Sequence, residues 1–400
     1  MTDQMDRLLS SLIDQVDPAE TEELLFRLIE IESHQEAAGH EKEITSFIKE
    51  YLERCGIDVE LQEVTEGRAN LIALIKGNGT GPSLVLNGHM DTVPPYEMQE
   101  PFSPRTDQDR IYGRGSVDMK GALAAMIHVL VGLKRSEVSL KGDVIFAATI
   151  GEENYSPGAY HLVNSGFQAD YAIVGEPTGM KVGIAHKGVV WGEAQFEGRS
   201  VHGSVPEKGI NAIYRASRWI EQIQNAYIPE LKKRNHPVLG QPTINIGEIE
   251  GGTRPVIVPN QCKVRFERRL IPGENGNDVI RELQALVDQL AENDPDLKGT
   301  VSEMPVFHGV PHGPLEADPG SPLVKGLCAG YQNEFDQSIE PEGLQFWTDG
   351  ALLSMIPGIQ TVVCGPGSIE QAHSNEEYIE QGQLHAAYRI YMDAVSQLCL

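Results

Sequence analysis

The side chains in this 400-residue sequence best suited to chemistry are carboxylates and imidazoles that recur where apolar runs stop. Leu84-Val-Leu-Asn-Gly-His-Met-Asp-Thr-Val-Pro94 reads as a buried strand ending in His89 and Asp91. Two residues apart on extended backbone, the pair shares a face. A carboxylate beside an imidazole can fix its tautomer for metal binding, although a satisfied polar turn fits this pair alone equally well. Asp118 stands before a helix, where an N-cap is the commoner use of a lone aspartate. Glu152 and Glu153 follow an apolar strand at 143–150, Glu176 follows one at 171–174, and His373 follows one starting at Thr361. Acidic or histidine clusters at four successive strand ends exceed what caps and solvated faces produce. Two histidines and several carboxylates without cysteine suit zinc, cobalt or manganese. The set exceeds the needs of one tetrahedral ion. Two ions sharing a carboxylate, about 3.5–4 Å apart, would use it well.

Elements must bring these positions together. Apolar periodicity predicts helices at 18–33 and 41–55, the second stopped by Gly56, and strands at 59–64 and 70–75. Gly77-Asn-Gly-Thr-Gly81 lacks a Gly-Lys-Ser/Thr ending and a following helix, so it reads as a hairpin turn. Gly113 and Gly115 lack the third glycine of a dinucleotide fingerprint, and a helix is expected at 120–133. Strands alternating with helices imply an α/β domain with a mainly parallel central sheet flanked by helices. Ligands of such sheets bind outside the carboxyl ends of the strands. From 187 the pattern changes. Strands at 189–196, 243–250, 261–270 and 300–306, with helices at 209–223 and 277–290, follow the order β-α-β-β-α-β of a ferredoxin-like α+β insertion. The expected division is residues 1–187 and 307–400 for one domain and 188–306 for the insertion, with a last helix at 381–398.

Composition narrows the setting. Hydrophobic residues are 40% and charged residues 22%, as in globular proteins. A formal charge of −26 disfavours nucleic acid and anionic membranes. No stretch of about 18 apolar residues stands out, and the N-terminus lacks a basic and apolar leader, so a cytoplasmic protein without a membrane span is expected. Five scattered cysteines, an odd number without a Cys-x-x-Cys, fit reduced thiols.

Gly88-His-Met-Asp-Thr-Val-Pro94, Gly113-Arg-Gly-Ser-Val-Asp-Met-Lys-Gly121, Glu152-Glu153, Gly175-Glu-Pro-Thr178 and Ala372-His373 together resemble the dinuclear zinc hydrolases. That family includes acetylornithine deacetylase, succinyl-diaminopimelate desuccinylase, aminoacylase and glutamate carboxypeptidase, and has a zinc-exopeptidase-like fold. The resemblance implies that Asp118 bridges two divalent ions, zinc first, with cobalt or manganese as alternatives. His89 and Glu176 would complete one shell, and Glu153 and His373 the other. Asp91 would orient His89. Glu152 would be the general base that takes a proton from a metal-bridging water and later protonates the leaving amine. Gly198-Arg-Ser-Val-His-Gly-Ser204 is similar to the family's second-domain motif, which implies a homodimer through the insertion, with His202 stabilising an oxyanion in the partner's site. Val256 stands where many members have an asparagine associated with substrate, so Arg254 is a compensating candidate. Arg269 is a candidate for a substrate carboxylate, or else an ion pair of Glu267. Gly365-Pro-Gly-Ser368 is closest in wording to acetylornithine deacetylases, and the N–H groups of Gly365 and Gly367 could bind a carboxylate or only form a turn. The implied reaction is hydrolysis of an N-acyl amino acid, a small molecule: N-acetylornithine first, N-succinyl-diaminopimelate next. A dipeptidase or carboxypeptidase on the same scaffold is the alternative, and a non-catalytic metal-binding relative a weaker one.

Overall fold

A computed structural model describes residues 2–305 and 309–400. The chain divides into two compact units. One comprises Met1–Ile184, Glu316–Gly343 and Thr348–Leu400, and the other Ala185–Leu315 and Leu344–Trp347. The expected strand end at 306 and the boundary at 306/307 lie outside the described residues.

The first unit is built on a mixed sheet. Four neighbouring strands, Val144–Thr149, Leu84–His89, Tyr171–Val174 and Gln360–Val363, run parallel. Every residue of Leu84–His89 is buried, which is why that strand reads as an apolar run rather than an alternation. Arg68–Ile75 and Val59–Thr65 extend one edge antiparallel, and Gly183–His186 pairs antiparallel with Gln360–Val363 on the other side. Helices Gly121–Ser136, Lys42–Arg54 and Gln381–Cys399 pack on the sheet. Residues 116–136 are long and apolar enough to cross a membrane by length and composition, but residues 116–133 are buried within the fold and Lys134 and Arg135 are exposed at the end. Burying side chains such as Leu123, Met126, Ile127 and Leu130 completely is worth about 1.5–3 kcal/mol each.

Two expectations change. Helix Pro18–Ile29, started by an Asp17/Glu20 capping box, ends before 33, and the chain beyond it turns so that His34 bridges Thr92. The Gly77–Gly81 stretch is not a hairpin turn, because strand Val144–Thr149 lies between Arg68–Ile75 and Leu84–His89. Its glycines instead let the loop press on residues 141–142, where a Cβ on Gly77 would lie 2.5 Å from the Gly142 carbonyl. Asp118 does not follow a strand of the central sheet. It comes after Arg110–Tyr112 in a separate three-stranded sheet with Tyr378–Glu380 and Arg105–Asp107.

Helix Gly121–Ser136 also carries a buried imidazole. His128 sits between the hydroxyls of Thr21 (2.8 Å to Nδ1) and Tyr51 (2.7 Å to Nε2). Burial, reinforced by Arg135 against Glu20, pushes it down to about 4. The unfolded chain therefore binds this proton first as pH falls. The neutral-ring contribution is complete above the ordinary imidazole value and is lost between about 6.5 and 4, at a cost of about 3 kcal/mol. Thermal melts from pH 7 to 4 are expected to fall more steeply for the wild type than for His128→Gln; parallel curves contradict this.

The second unit pairs Thr243–Gly251, Gln261–Leu270, Gly188–Glu197 and Lys298–Glu303 in that spatial order, all antiparallel. With helices Ala212–Gln222 and Gly276–Asn293, this is the ferredoxin-like arrangement. Trp219, Phe196 and Phe266 form its core, with the Trp219 ring 5.9 and 6.0 Å from the other two.

Candidate metal centre

Parallel strands deliver side chains at their carboxyl ends, and three of the neighbouring strands do so here. His89 ends its strand, Glu152 and Glu153 begin a short turn after Thr149, and Glu176 follows Val174. Asp118 enters from the loop before helix Gly121–Ser136, at φ −125° and ψ 91°, and caps no helix. His373 comes from a loop after Gln360–Val363, with its backbone left-handed at φ 59°.

These atoms converge. His89 Nε2 lies 3.1 Å from Asp118 Oδ1 and 3.4 Å from Glu176 Oε1. His373 Nε2 lies 3.2 Å from Asp118 Oδ2 and 2.9 Å from Glu153 Oε1. One oxygen of Asp118 thus faces each histidine. Ligand-capable atoms of His89, Glu152 and Glu176, and of His89, Asp118 and Glu153, fall within 4.8 Å of one another. Glu152 is therefore near enough to the set to be considered beside the ligands the sequence suggested.

Asp91 acts differently from expectation. His89 Nδ1 meets the backbone carbonyl of Asp91 at 2.9 Å, whereas the carboxylate is 3.6 Å away. A carbonyl only accepts, so Nδ1 carries the proton and Nε2 is left as a ligand nitrogen. The Asp91 carboxylate instead accepts the N–H groups of Glu152 and Glu153 at 3.0 and 3.1 Å, and so places both glutamates.

The electrostatics fit cations. Burial and then neighbouring carboxylates push Glu152 well above the usual carboxylate range, and Glu176 up to about 7. Burial also acts against charge on Asp118 and His89. It is outweighed at Asp118 by bonds from His373 and His89, which hold the carboxyl low, and at His89 by Glu176 and Asp118, which raise the imidazole. Bonds to Asp118 and Glu153 raise His373 to about 11. An oxygen-rich cluster that is buried on the sheet side, half-exposed at His373, and must otherwise gather protons is suited to divalent cations.

Residues 85–397 match Peptidase family M20/M25/M40. The chain belongs to this family. It is therefore a hydrolase of the M20 type, an enzyme acting on amides. An acetylornithine deacetylase of Aliivibrio fischeri (strain MJ11) is 31% identical over 346 residues, 84% of this chain and 86% of that one. An N-formyl-4-amino-5-aminomethyl-2-methylpyrimidine deformylase of Bacillus subtilis (strain 168) is 28% identical over 427 aligned residues, covering 99% of each chain. Among solved structures, the aminopeptidase PepT of Bacillus cereus superposes with TM-score 0.79 at 20% identity, over 96% of this chain and 99% of that one. The Bacillus subtilis protein YXEP, described as a dinuclear metal binding peptidase, does so with TM-score 0.73 at 18% identity, over 95% and 98%.

The other expected residues of this M20 chain are placed as follows. His202, Arg254 and Arg269 lie in the second unit. The exposed His202 ring accepts the Ser204 N–H at Nδ1 (3.2 Å), a tautomer that carries its proton on Nε2. Residue 202 also bridges Ile257, and Arg254 lines a groove of about 560 Å³ with Asn211, Tyr214 and Thr253. Arg269 is paired with Glu267, Nε to Oε1 at 2.8 Å. The Gly365 N–H donates to Thr178 Oγ1 at 3.2 Å and the Gly367 N–H to Gln383 Oε1 at 2.7 Å. Both N–H groups are therefore directed at side chains of other segments, Thr178 and Gln383. Sequence reasoning missed Asp349, buried beside the cluster with Oδ2 accepting Thr149 Oγ1 at 2.9 Å, and Glu377. Only the polar Thr348-Asp349 step within apolar surroundings hinted at the first.

Proposed function

We propose that the protein is a dinuclear metal-dependent deacylase of N-acyl amino acids, with N-acetylornithine the first substrate and N-succinyl-diaminopimelate the next. The observation that carries the reading is the divided Asp118 carboxylate, with one oxygen toward His89 and Glu176 and the other toward His373 and Glu153. In this reading Asp118 would serve both ions, His89 and Glu176 would complete one site, and Glu153 and His373 would complete the other, with zinc ahead of cobalt or manganese. Bound divalent ions polarise the scissile carbonyl and acidify water. Glu152, raised in proton affinity by burial and Glu176, takes a proton from the attacking water and returns it to the departing amine. Asp91 keeps Glu152 and Glu153 in register. His202, through its Nε2–H, donates to the developing oxyanion in a partner's site, so the working form is a homodimer through the second unit. The five free cysteines support a cytoplasmic setting.

A second reading, release of formate from an N-formyl aminomethylpyrimidine, is supported by the full-length match to the deformylase. One experiment separates the readings. The purified chain, stripped with a chelator and then reloaded with zinc or cobalt, is assayed on N-acetylornithine, N-succinyl-diaminopimelate, the formylated pyrimidine and a set of di- and tripeptides. Deacylation that vanishes on stripping, returns on reloading and is not accompanied by peptide cleavage is expected. Full activity of metal-free protein contradicts the mechanism, and preferred cleavage of peptides contradicts the deacylase assignment.

A further inference from the structure

The residue that ties the two halves of the cluster together is outside it. Glu377 is 1% exposed, and both its oxygens are engaged. Oε2 accepts Arg114 Nη1 at 2.6 Å and the Gly115 N–H at 3.0 Å. Oε1 accepts the N–H groups of Val117 and Asp118 at 3.0 and 3.1 Å. The carbonyl of Glu377 accepts the Gly113 N–H at 3.2 Å, which continues the antiparallel pairing of Tyr378–Glu380 with Arg110–Tyr112. Gly115, at φ 81°, lets its own N–H and those of Val117 and Asp118 point at one carboxylate, and a Cβ there would lie 2.6 Å from Thr92 Cγ2. Arg114, fully buried, also donates to the carbonyls of Ser374 at 3.2 Å and Pro95 at 3.3 Å.

We propose that Glu377 is a positioning residue of the metal centre, whose carboxylate fixes Asp118 and His373 relative to each other. It lies four residues beyond His373 on the same segment and bonds the Asp118 amide directly. A loop with three amides closed on a buried carboxylate cannot shift without leaving donors unpaired away from water. The two loops that address the two oxygens of Asp118 and the ring of His373 are thereby locked as one piece. The inference rests on the metal-site reading above.

A merely structural brace would lower the melting temperature but leave the folded protein's affinity for metal unchanged. The test is titration of cobalt(II) into the metal-free full-length chain, read by its visible absorption bands well below the melting temperature of each variant. Glu377→Ala is expected to weaken cobalt binding tenfold or more, in the range typical of partners that orient metal ligands, and to change the band shape. Glu377→Gln is expected to do the same, because its amide NH₂ meets backbone N–H donors head-on. A change smaller than tenfold with an unaltered spectrum overturns the proposal. If the alanine variant does not fold, the isosteric glutamine variant decides by the same criterion. Wild-type protein that binds no cobalt refutes the metal-site reading instead.

Discussion

Glu152→Gln is expected to reduce turnover by about 10²–10⁴-fold while leaving the metal content unchanged. The first part follows from chemistry. An amide of the same shape cannot take a proton from water or hand one to a departing nitrogen. The second part separates two readings that the geometry allows, since a Glu152 oxygen lies within 4.8 Å of ligand atoms of His89 and Glu176. A base at this position leaves the ions in place when neutralised; a ligand does not. Metal analysis beside steady-state kinetics decides, and unchanged turnover refutes the base assignment. Dimers mixed from Glu152→Gln and His202→Ala subunits extend the test. If His202 works across subunits, each mixed dimer has one intact site and regains activity that neither parent shows.

The kind of site was legible in the sequence because the chemistry is local. His89, Glu152, Glu153 and Glu176 each stand just past an apolar run, and a run's end is visible without knowing its neighbours. What escaped was whatever depends on who lies beside whom. The loop 77–81 looked like a hairpin turn because nothing near it says that Val144–Thr149 will lie between the strands it joins. Asp91 was read through its side chain, yet it is the backbone carbonyl, which every residue has, that sets the His89 tautomer. Asn375, Glu376 and Glu377 are three polar neighbours on paper. Only the pairing of Ile379 with Ile111 selects Glu377 to face inward under the Asp118 loop. The insertion was legible as β-α-β-β-α-β, but the return of Leu344–Trp347 to that unit leaves no periodic mark in four residues.

Asp118→Asn is expected to abolish stable occupancy of the paired site and to lower turnover by on the order of a thousandfold or more, since an ion's charge stabilisation is worth several kcal/mol. The argument starts from what the substitution leaves alone. The Asp118 amide still donates to Glu377, and asparagine has the shape of aspartate, so the loop and the apo fold persist. What is lost is one of the two anionic oxygens, and with it the only carboxylate among the described residues that meets both His89 and His373 within 3.2 Å. Asparagine offers a single carbonyl oxygen, so one histidine faces an NH₂ group that cannot accept from it or bind a cation. Two divalent ions held close together repel strongly, and a shared anion between them offsets much of that repulsion. Dialysed Asp118→Asn should therefore retain at most one equivalent of zinc or cobalt, with a far-ultraviolet spectrum like that of wild type. Two tightly held equivalents and wild-type turnover in this variant would remove the bridge from the centre, and with it the reason for placing two ions there at all.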